Sequence, residues 1–299
     1  MAPIAPASPQ RTILIAEHAG FCHGVKKAVS KTEKAGETSD KPTYVLGELI
    51  HNPQEIDRLR QQGIITVQSL DEVPAGSLCV IRTHGAPPSL TQDMESRGIQ
   101  PVDATCPDVQ IVQNRAVQLA EEGYTVVLVG RETHPEIIGI RAHTAQIPNA
   151  DIVIIEHPGQ IAEKLVKTGK RRIGIVSQTT QLEGVFFETV AELAKVAKEL
   201  KVFNTICPAT FFRQNAALDL ASRVPVMVVI GGKNSSNTTH LADICREQGA
   251  QTIHIETPEE LDTFEPLKTA TTVGVTAGAS TPDWLVRQVI AYLNAQAPA

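Results

Sequence analysis

Short apolar runs alternate along the chain with longer stretches in which apolar residues recur every three or four positions. Strand side chains alternate faces and helix side chains repeat about every 3.6 residues, so the runs predict strands and the stretches predict helices. The predicted strands include Thr12–Ala16, Thr43–Leu46, Leu78–Arg82, Tyr124–Val129, Asp151–Ile155, Arg172–Val176, Val224–Ile230, Thr252–Ile255 and Thr271–Thr276. The predicted helices include Val109–Glu122, Val185–Leu200, Thr239–Gln248 and Trp284–Asn294. This alternation is typical of an α/β protein with parallel sheets.

Three features recur in the same order along the chain, which indicates an internal repeat. They are a cysteine (Cys22, Cys106, Cys207), a strand that ends in glycine (Gly47, Gly130, Gly231) and a polar cluster after a later strand (His84, Thr179, Ala279). The cysteines are 84 and 101 residues apart, the glycines 83 and 101, and the last set 95 and 100. We interpret the chain as three pseudo-repeated α/β units over residues 12–105, 106–205 and 206–295. Ligands of open α/β sheets bind beyond the carboxyl ends of strands, so a threefold arrangement would bring the polar segments to one cavity.

Composition excludes several classes of protein. The chain has 27 Lys and Arg against 33 Asp and Glu, a net charge of −6, which argues against nucleic acid or an anionic membrane as a partner. Five widely spaced cysteines indicate a reducing compartment instead of a secreted disulfide scaffold. We find neither the apolar region of a signal peptide nor the roughly 18 apolar residues of a membrane span. We therefore expect a soluble, cytoplasmic protein.

The three repeated cysteines each lie beside a predicted helix start, where the thiolate form is favoured. Cys79 and Cys245 fall outside the repeat, inside a predicted strand and a predicted helix, so we expect them in the core. Three thiolates leave one ligand position open. A [4Fe–4S] cluster with one open iron and a three-cysteine zinc site with a water both fit that description. The chain lacks the Cys-x-x-Cys pairs usual in zinc sites, and this favours the cluster.

Nine motifs occur in a fixed order over about residues 12–295. They are Gly20-Phe21-Cys22-x-Gly24-Val25, Ile50-His51-Asn52, Thr83-His84-Gly85, Asp103-Ala104-Thr105-Cys106-Pro107, His134-Pro135-Glu136, Gln178-Thr179-Thr180, Ile206-Cys207-x-Ala209-Thr210-x-x-Arg213-Gln214, Lys233-Asn234-Ser235-Ser236-Asn237 and Gly274-Val275-Thr276-Ala277-Gly278-Ala279-Ser280. Together they resemble the 4-hydroxy-3-methylbut-2-enyl diphosphate reductase family, which acts last in the methylerythritol phosphate route to isoprenoids. The resemblance implies an α/β trefoil around a central [4Fe–4S] cluster. It also implies reductive dehydroxylation of an allylic diphosphate to isopentenyl and dimethylallyl diphosphates.

The same resemblance implies a role for each matching residue. The implied cluster ligands are Cys22, Cys106 and Cys207, and the implied diphosphate ligands are His51, His84, Ser235, Ser236, Asn237 and Ser280. The residues implied around the hydroxyl are His134, Thr179 and Glu136, with Glu136 as the proton source. Independently of the family, the segment from Lys233 to Asn237 lies between a predicted strand and a predicted helix. Amide and hydroxyl donors at such a place can orient toward an anion.

The sequence predicts no internal nicotinamide or flavin site that could supply electrons for a reduction. It carries no Gly-x-Gly-x-x-Gly segment for a nicotinamide or flavin, so we expect an external ferredoxin- or flavodoxin-type donor. Two other functions remain open. A quinolinate-synthase-like enzyme also combines three α/β repeats with a three-cysteine cluster, but the Ser/Asn segment and Glu136 argue against it. A redox-sensing or cluster-carrying protein would not need three polar clusters besides its cysteines.

Overall fold

Three parallel sheets of four strands each make up the fold. The computed structural model describes residues 11–296, apart from 39, 41, 166–168 and 170. The strands are β1 (Thr12–Ile15), β2 (Thr43–Leu46), β3 (Ile64–Val67), β4 (Leu78–Ile81), β5 (Gln100–Asp103), β6 (Thr125–Val129), β7 (Asp151–Ile155), β8 (Arg172–Ser177), β9 (Glu199–Val202), β10 (Val226–Ile230), β11 (Gln251–Ile255) and β12 (Thr272–Ala277). The helices are α1 (His23–Thr38), α2 (Pro53–Gln61), α3 (Pro88–Ser96), α4 (Pro107–Glu121), α5 (Pro135–Thr144), α6 (Ile161–Lys164), α7 (Glu183–Val196), α8 (Pro208–Ala221), α9 (Ser236–Glu247) and α10 (Asp283–Ala295).

The three sheets share one strand order. They read β3-β2-β4-β5, β7-β6-β8-β9 and β11-β10-β12-β1, with every neighbouring pair parallel. In each sheet the first and third strands along the chain lie inside, and the second and fourth lie at the edges. The exception is β1, which takes the place of a fourth strand although it comes first in the chain. This repetition confirms the predicted α/β class with three pseudo-repeated units.

Strand β1 completes the last sheet instead of the first. The sequence pattern places it at the start of the repeat over residues 12–105, but Thr12–Ile15 pair in parallel with Thr272–Val275 of β12. The first strand of the chain is therefore the fourth strand of the third sheet. The proposed boundaries near residues 105 and 205 fall in the loops after β5 and β9, and the three ranges stay a prediction.

Contacts divide the chain into two compact units. The first unit holds the described residues of Met1–Cys22, His51–Glu55 and Phe211–Ala299. It contains the sheet of β1, β10, β11 and β12. The second unit holds His23–Ile50 and Ile56–Thr210 with the other two sheets.

Burial of both sheet faces explains the continuous apolar runs. In β10, Val226, Val228 and Ile230 pack into one apolar cluster, and Met227 and Val229 pack into a cluster on the opposite face. A strand covered on both faces reads as an unbroken apolar run, which is why the sequence predicted it. Among the described residues, no helix is both long and apolar enough to cross a membrane.

The edge strands β3, β5 and β9 were not among the predicted strands. Strand β9 also corrects the predicted helix Val185–Leu200, because α7 ends at Val196 and Glu199–Val202 pair with β8. Ala197 already has the extended backbone that ends the helix, with φ −74° and ψ 145°. The side chains of β9 are exposed at both ends of the strand and half-buried between them, so their sequence carries little strand signal.

Candidate active site

Each of the three repeated cysteines directly precedes a helix and is tied to a central strand of a sheet. Helices α1, α4 and α8 begin one residue after them, as the sequence predicted. The three backbone amides donate to carbonyl oxygens beyond β12, β4 and β8: Cys22 to Ala279 at 3.1 Å, Cys106 to Thr83 at 3.0 Å and Cys207 to Thr179 at 3.0 Å. The repeat in sequence is therefore also a repeat in local hydrogen bonding. Helix N-termini favour negative charge, which suits thiolates.

Burial separates these cysteines from the other two. Cys22, Cys106 and Cys207 are partly exposed, whereas Cys79 and Cys245 are fully buried. Burial raises the pKa of the Cys79 thiol to about 11 and that of the Cys245 thiol to about 12. These two side chains are uncharged members of the core, in agreement with the sequence prediction.

The sulfur atoms in the second unit have polar neighbours in the first turns of their own helices. Cys207 Sγ lies 3.1 Å from Thr210 Oγ1 and accepts a hydrogen bond from the Thr210 amide at 3.4 Å. Cys106 Sγ lies 4.0 Å from Asp108 Oδ2. Sequence reasoning gave Thr210 and Asp108 no role, although their places, three and two residues after a cysteine at a helix start, signal such contacts. Cys22 belongs to the first unit, so binding of one cluster by all three cysteines remains a proposal.

Glu136 is a buried carboxyl group held by one residue of a different strand-end loop. Its side chain is 1 % exposed, in the first turn of α5. Glu136 Oε1 accepts from the Thr179 amide at 2.7 Å, and Oε2 accepts from Thr179 Oγ1 at 2.8 Å. Burial, with a smaller contribution from the charge of Asp108, raises the pKa of Glu136 to about 7 against the lowering effect of the Thr179 hydrogen bonds. A carboxyl group in this state can hold and release a proton near neutral pH.

His134 and His84 lie beside one another in the same unit. The side chain of His134 caps α5, and its Nδ1 accepts from the Glu136 amide at 3.2 Å. A neutral ring whose Nδ1 accepts carries its proton on Nε2. The rings of His84 and His134 meet edge to face with their centroids 5.4 Å apart. The second unit thus brings His84, His134, Glu136 and Thr179 together beyond β4, β6 and β8.

The first unit holds a group suited to an anion at the start of α9. Ser235 caps this helix by accepting from the Thr238 amide at 3.4 Å, and Ser235, Ser236 and Asn237 are all buried. Helix α9 begins three residues before the predicted Thr239, so the whole Ser/Asn segment lies at its N-terminus. Asn237 is 3 % exposed, and neither polar atom of its amide has a hydrogen-bond partner in the described structure. A buried amide in this state is a candidate ligand group.

His51 and Ser280 are joined within the same unit. Ser280 Oγ donates to the carbonyl oxygen of His51 at 3.0 Å. The turn before Ser280 is hydrogen-bonded to the end of β10, since the Gly278 amide and Thr281 Oγ1 both donate to the Ile230 carbonyl oxygen. Strand β10 leads directly into the loop before α9. Five of the six residues predicted to bind a diphosphate therefore lie in the first unit, and His84 lies in the second.

Comparison with protein families and curated proteins gives one consistent result. A family model described as LytB protein matches residues 13–294. The protein of Aquifex aeolicus named 4-hydroxy-3-methylbut-2-enyl diphosphate reductase is 46% identical over 277 residues, which are 93% of this chain and 94% of that protein. A protein of the same name from Anaeromyxobacter sp. (strain K) is 41% identical over 285 residues, 95% and 99% of the two chains.

Solved structures agree with this result. One, described as (E)-4-hydroxy-3-methyl-but-2-enyl diphosphate reductase, the terminal enzyme of the non-mevalonate pathway, has 45% identity and a TM-score of 0.71. The match covers 95% of this chain and 99% of that one. The corresponding reductase of Plasmodium falciparum has 25% identity and a TM-score of 0.87, with 95% and 88% of the chains covered.

Proposed function

The chain belongs to the LytB family, and we propose that it reduces 4-hydroxy-3-methylbut-2-enyl diphosphate to isopentenyl and dimethylallyl diphosphates. The reaction takes up two electrons and two protons, breaks the C–O bond and releases the hydroxyl group as water. One proton goes to the leaving oxygen and the other to carbon. The observation that carries the proposal is the buried Glu136 carboxyl group, held by Thr179, in a chain matched over almost its whole length by named reductases.

We propose a [4Fe–4S] cluster bound by Cys22, Cys106 and Cys207 as the cofactor. The donor set fits it, because three soft ligands follow equivalent strand ends with equivalent amide hydrogen bonds, and all three are partly exposed. When bound, such a cluster passes electrons singly and offers an open iron as a Lewis acid. The three-cysteine zinc site is the alternative that metal analysis distinguishes.

The diphosphate binds, in this proposal, to the first-unit group His51, Ser235, Ser236, Asn237 and Ser280, with His84 as a further ligand. The amides at the start of α9 and the dipole of this helix favour an anion. The unpartnered amide of Asn237 gains hydrogen bonds when an oxyanion binds. This group orients the substrate and takes no part in bond breaking.

Glu136 supplies the proton to the leaving oxygen. When its Oε2 is protonated, that oxygen donates to Thr179 Oγ1, which frees the Thr179 hydroxyl to donate onward to the substrate. The Thr179 amide keeps Oε1 in place throughout. His134 fixes the start of α5 through its Nδ1 and presents its Nε2 proton as a second donor. Burial keeps water away from the carboxyl group and maintains its raised pKa.

The electron donor is proposed to be a ferredoxin- or flavodoxin-type protein, and the cytoplasmic location likewise remains a prediction. The reductase names of the relatives favour this function over a quinolinate-synthase-like one. A non-enzymatic redox sensor would have no use for a buried acid with a pKa of about 7.

Anaerobic turnover tests the proposal. Protein purified without oxygen is assayed for iron and sulfide, reduced with dithionite and a viologen, and mixed with the allylic diphosphate. We expect about four irons per chain and release of both isomeric diphosphates. A fully loaded protein that binds the substrate but releases no product would refute the proposed reaction. Zinc in place of iron and sulfide would refute the cluster.

A further inference from the structure

The segment His51–Glu55 belongs to the first unit, although the residues on both sides of it in the chain belong to the second. Two side-chain contacts hold the ends of this segment. Ser280 Oγ donates to the His51 carbonyl oxygen at 3.0 Å, and Trp284 Nε1 donates to Glu55 Oε2 at 3.0 Å. Residues 51 and 55 are four apart, and so are residues 280 and 284. The segment is thus joined at one end to the turn before α10 and at the other end to the first turn of α10.

Glu55 is a buried carboxylate that the proposed reaction does not use. It is 1 % exposed, and its backbone amide donates to Oδ1 of Asn52, which is itself fully buried. Trp284 packs against the apolar cluster that contains Leu285 and Val289 of the same helix, so its indole is held by the core. A hydrogen bond to a buried carboxylate has little competition from water. Glu55 is therefore attached to a rigid part of the first unit.

On the other side of the segment, the backbone of Gly232 lies close to the His51 carbonyl oxygen. A Cβ atom on Gly232 would lie 2.5 Å from the His51 carbonyl oxygen, so only glycine permits this close approach. Gly232 immediately precedes the loop to α9, which carries Ser235 and Asn237. His51 is consequently fixed between Ser280 and Gly232, and the end of its segment is fixed by Glu55.

We infer that Glu55 is a positioning residue for the diphosphate site, acting through its hydrogen bond to Trp284. The bond holds the segment so that the His51 side chain faces the ligand in one fixed arrangement. Preorganised donors lower the cost of binding a compact anion. An apolar side chain at position 55 would fill the same space without fixing the direction of the segment. This inference rests on the proposed function, because it assumes that His51 binds the diphosphate.

The test measures binding and turnover separately in anaerobically purified, cluster-loaded protein. Calorimetry gives the Kd of inorganic diphosphate, and turnover with dithionite and a viologen gives KM and kcat. Glu55→Leu and Trp284→Phe should each raise Kd and KM about tenfold, as expected for a lost hydrogen bond to a charged group. The kcat should stay within about twofold, because the bond acts on binding alone. Glu55→Gln keeps an acceptor oxygen for the indole and should restore values near the wild type.

A matched control lies on the same helix. Tyr292→Phe removes a hydrogen bond from the Tyr292 hydroxyl group to Asp262 at the surface and should leave Kd and KM unchanged. The double variant Glu55→Leu/Trp284→Phe replaces both partners of the hydrogen bond by apolar groups. We expect it to fold with a Tm close to the wild type and still to bind inorganic diphosphate weakly.

His51→Ala separates this inference from the proposed function. If His51→Ala leaves the Kd of inorganic diphosphate unchanged, the proposed diphosphate site is wrong. If His51→Ala weakens binding but Glu55→Leu and Trp284→Phe do not, the positioning role of Glu55 is overturned. Recovery of the wild-type Kd in the double variant would overturn it as well.

Discussion

Thr179 holds both carboxyl oxygens of Glu136, with its amide on Oε1 at 2.7 Å and its hydroxyl group on Oε2 at 2.8 Å. The two residues are 43 positions apart and follow different strands of one sheet. Thr179 also accepts the amide hydrogen bond of Cys207 on its carbonyl oxygen. One residue therefore connects the proposed proton donor to a proposed cluster ligand, which makes Glu136 the first target for mutation.

Glu136→Gln should abolish most turnover while leaving the cofactor and substrate bound. Glutamine has nearly the same size and still accepts from Thr179, but it has no acidic proton for the leaving oxygen. General acid catalysis contributes about 10²–10⁴-fold, so we expect a loss of at least 100-fold or so in single-turnover rate of pre-reduced protein. Glu132→Gln in the preceding exposed loop is the control and should retain activity. A wild-type rate in Glu136→Gln would show that another group donates the proton.

The raised pKa of Glu136 also predicts a pH-dependent stability. Its pKa moves from 4.5 to about 7 on folding, so the folded protein binds this proton more tightly than the unfolded chain. The resulting stability is fully present below pH 4.5 and is lost as the pH rises through about 7. Relative to Glu136→Gln, the wild type should lose on the order of 3 kcal/mol of unfolding free energy across this window. Apparent Tm values measured from acid to neutral pH check it, and parallel profiles of the two proteins would contradict it.

Cysteine substitutions should divide into two groups by iron content. Serine at position 22, 106 or 207 removes a soft ligand and should lower iron and sulfide sharply. Cys79→Ser and Cys245→Ser should retain both, but with a lower Tm, because each places a hydroxyl group in a fully buried apolar site. Iron loss in Cys79→Ser as complete as in Cys106→Ser would refute the ligand assignment.

Asn237→Ala should weaken anion binding and stabilise the ligand-free protein. The substitution removes a buried amide without hydrogen-bond partners in the described structure, so we expect the Tm of the unliganded protein to rise. Loss of a hydrogen bond to a charged ligand costs about 1.5–3 kcal/mol, and the Kd of inorganic diphosphate should rise about 10- to 100-fold. Ser222→Ala at the exposed end of α8 serves as the control. Unchanged Kd together with a raised Tm would place Asn237 outside the binding site.

Gly174→Ala should test the packing of α4 on β8. A Cβ atom on Gly174 would lie 2.5 Å from Cδ2 of Leu119, whose side chain is fully buried. Overpacking of this kind costs about 1–3 kcal/mol of unfolding free energy. Gly184→Ala in α7 is the matched control, because among the described residues no atom outside the adjacent backbone of its own helix lies within 4 Å of the added carbon, and alanine favours the helix. Chemical denaturation of both variants should show a loss for the first and no loss for the second.

The parts of the fold that the sequence predicted are those with a local signal. Strands β6 and β10 are fully buried along their length and therefore appear as unbroken apolar runs. The starts of α4 and α8 follow from proline directly after Cys106 and Cys207, since proline suits the first turn of a helix. The regular spacing of the cysteines indicated the threefold repeat, and the order of the motifs indicated the family. Family membership and the α/β class were thus available before any coordinates.

Tertiary structure decided what depends on residues distant in the chain. The edge strand β9 and the pairing of β1 with β12 depend on which strand lies alongside, and the exposed and half-buried side chains of β9 leave no distinct pattern in its own sequence. The hydrogen bonds of Thr179 to Glu136 and of Trp284 to Glu55 join residues 43 and 229 positions apart. No local propensity encodes such pairs, because their energy comes from burial that only the assembled fold creates. The sequence by itself therefore determined which residue types are present for the chemistry, whereas the fold determined the raised pKa of Glu136 and the anchoring of His51.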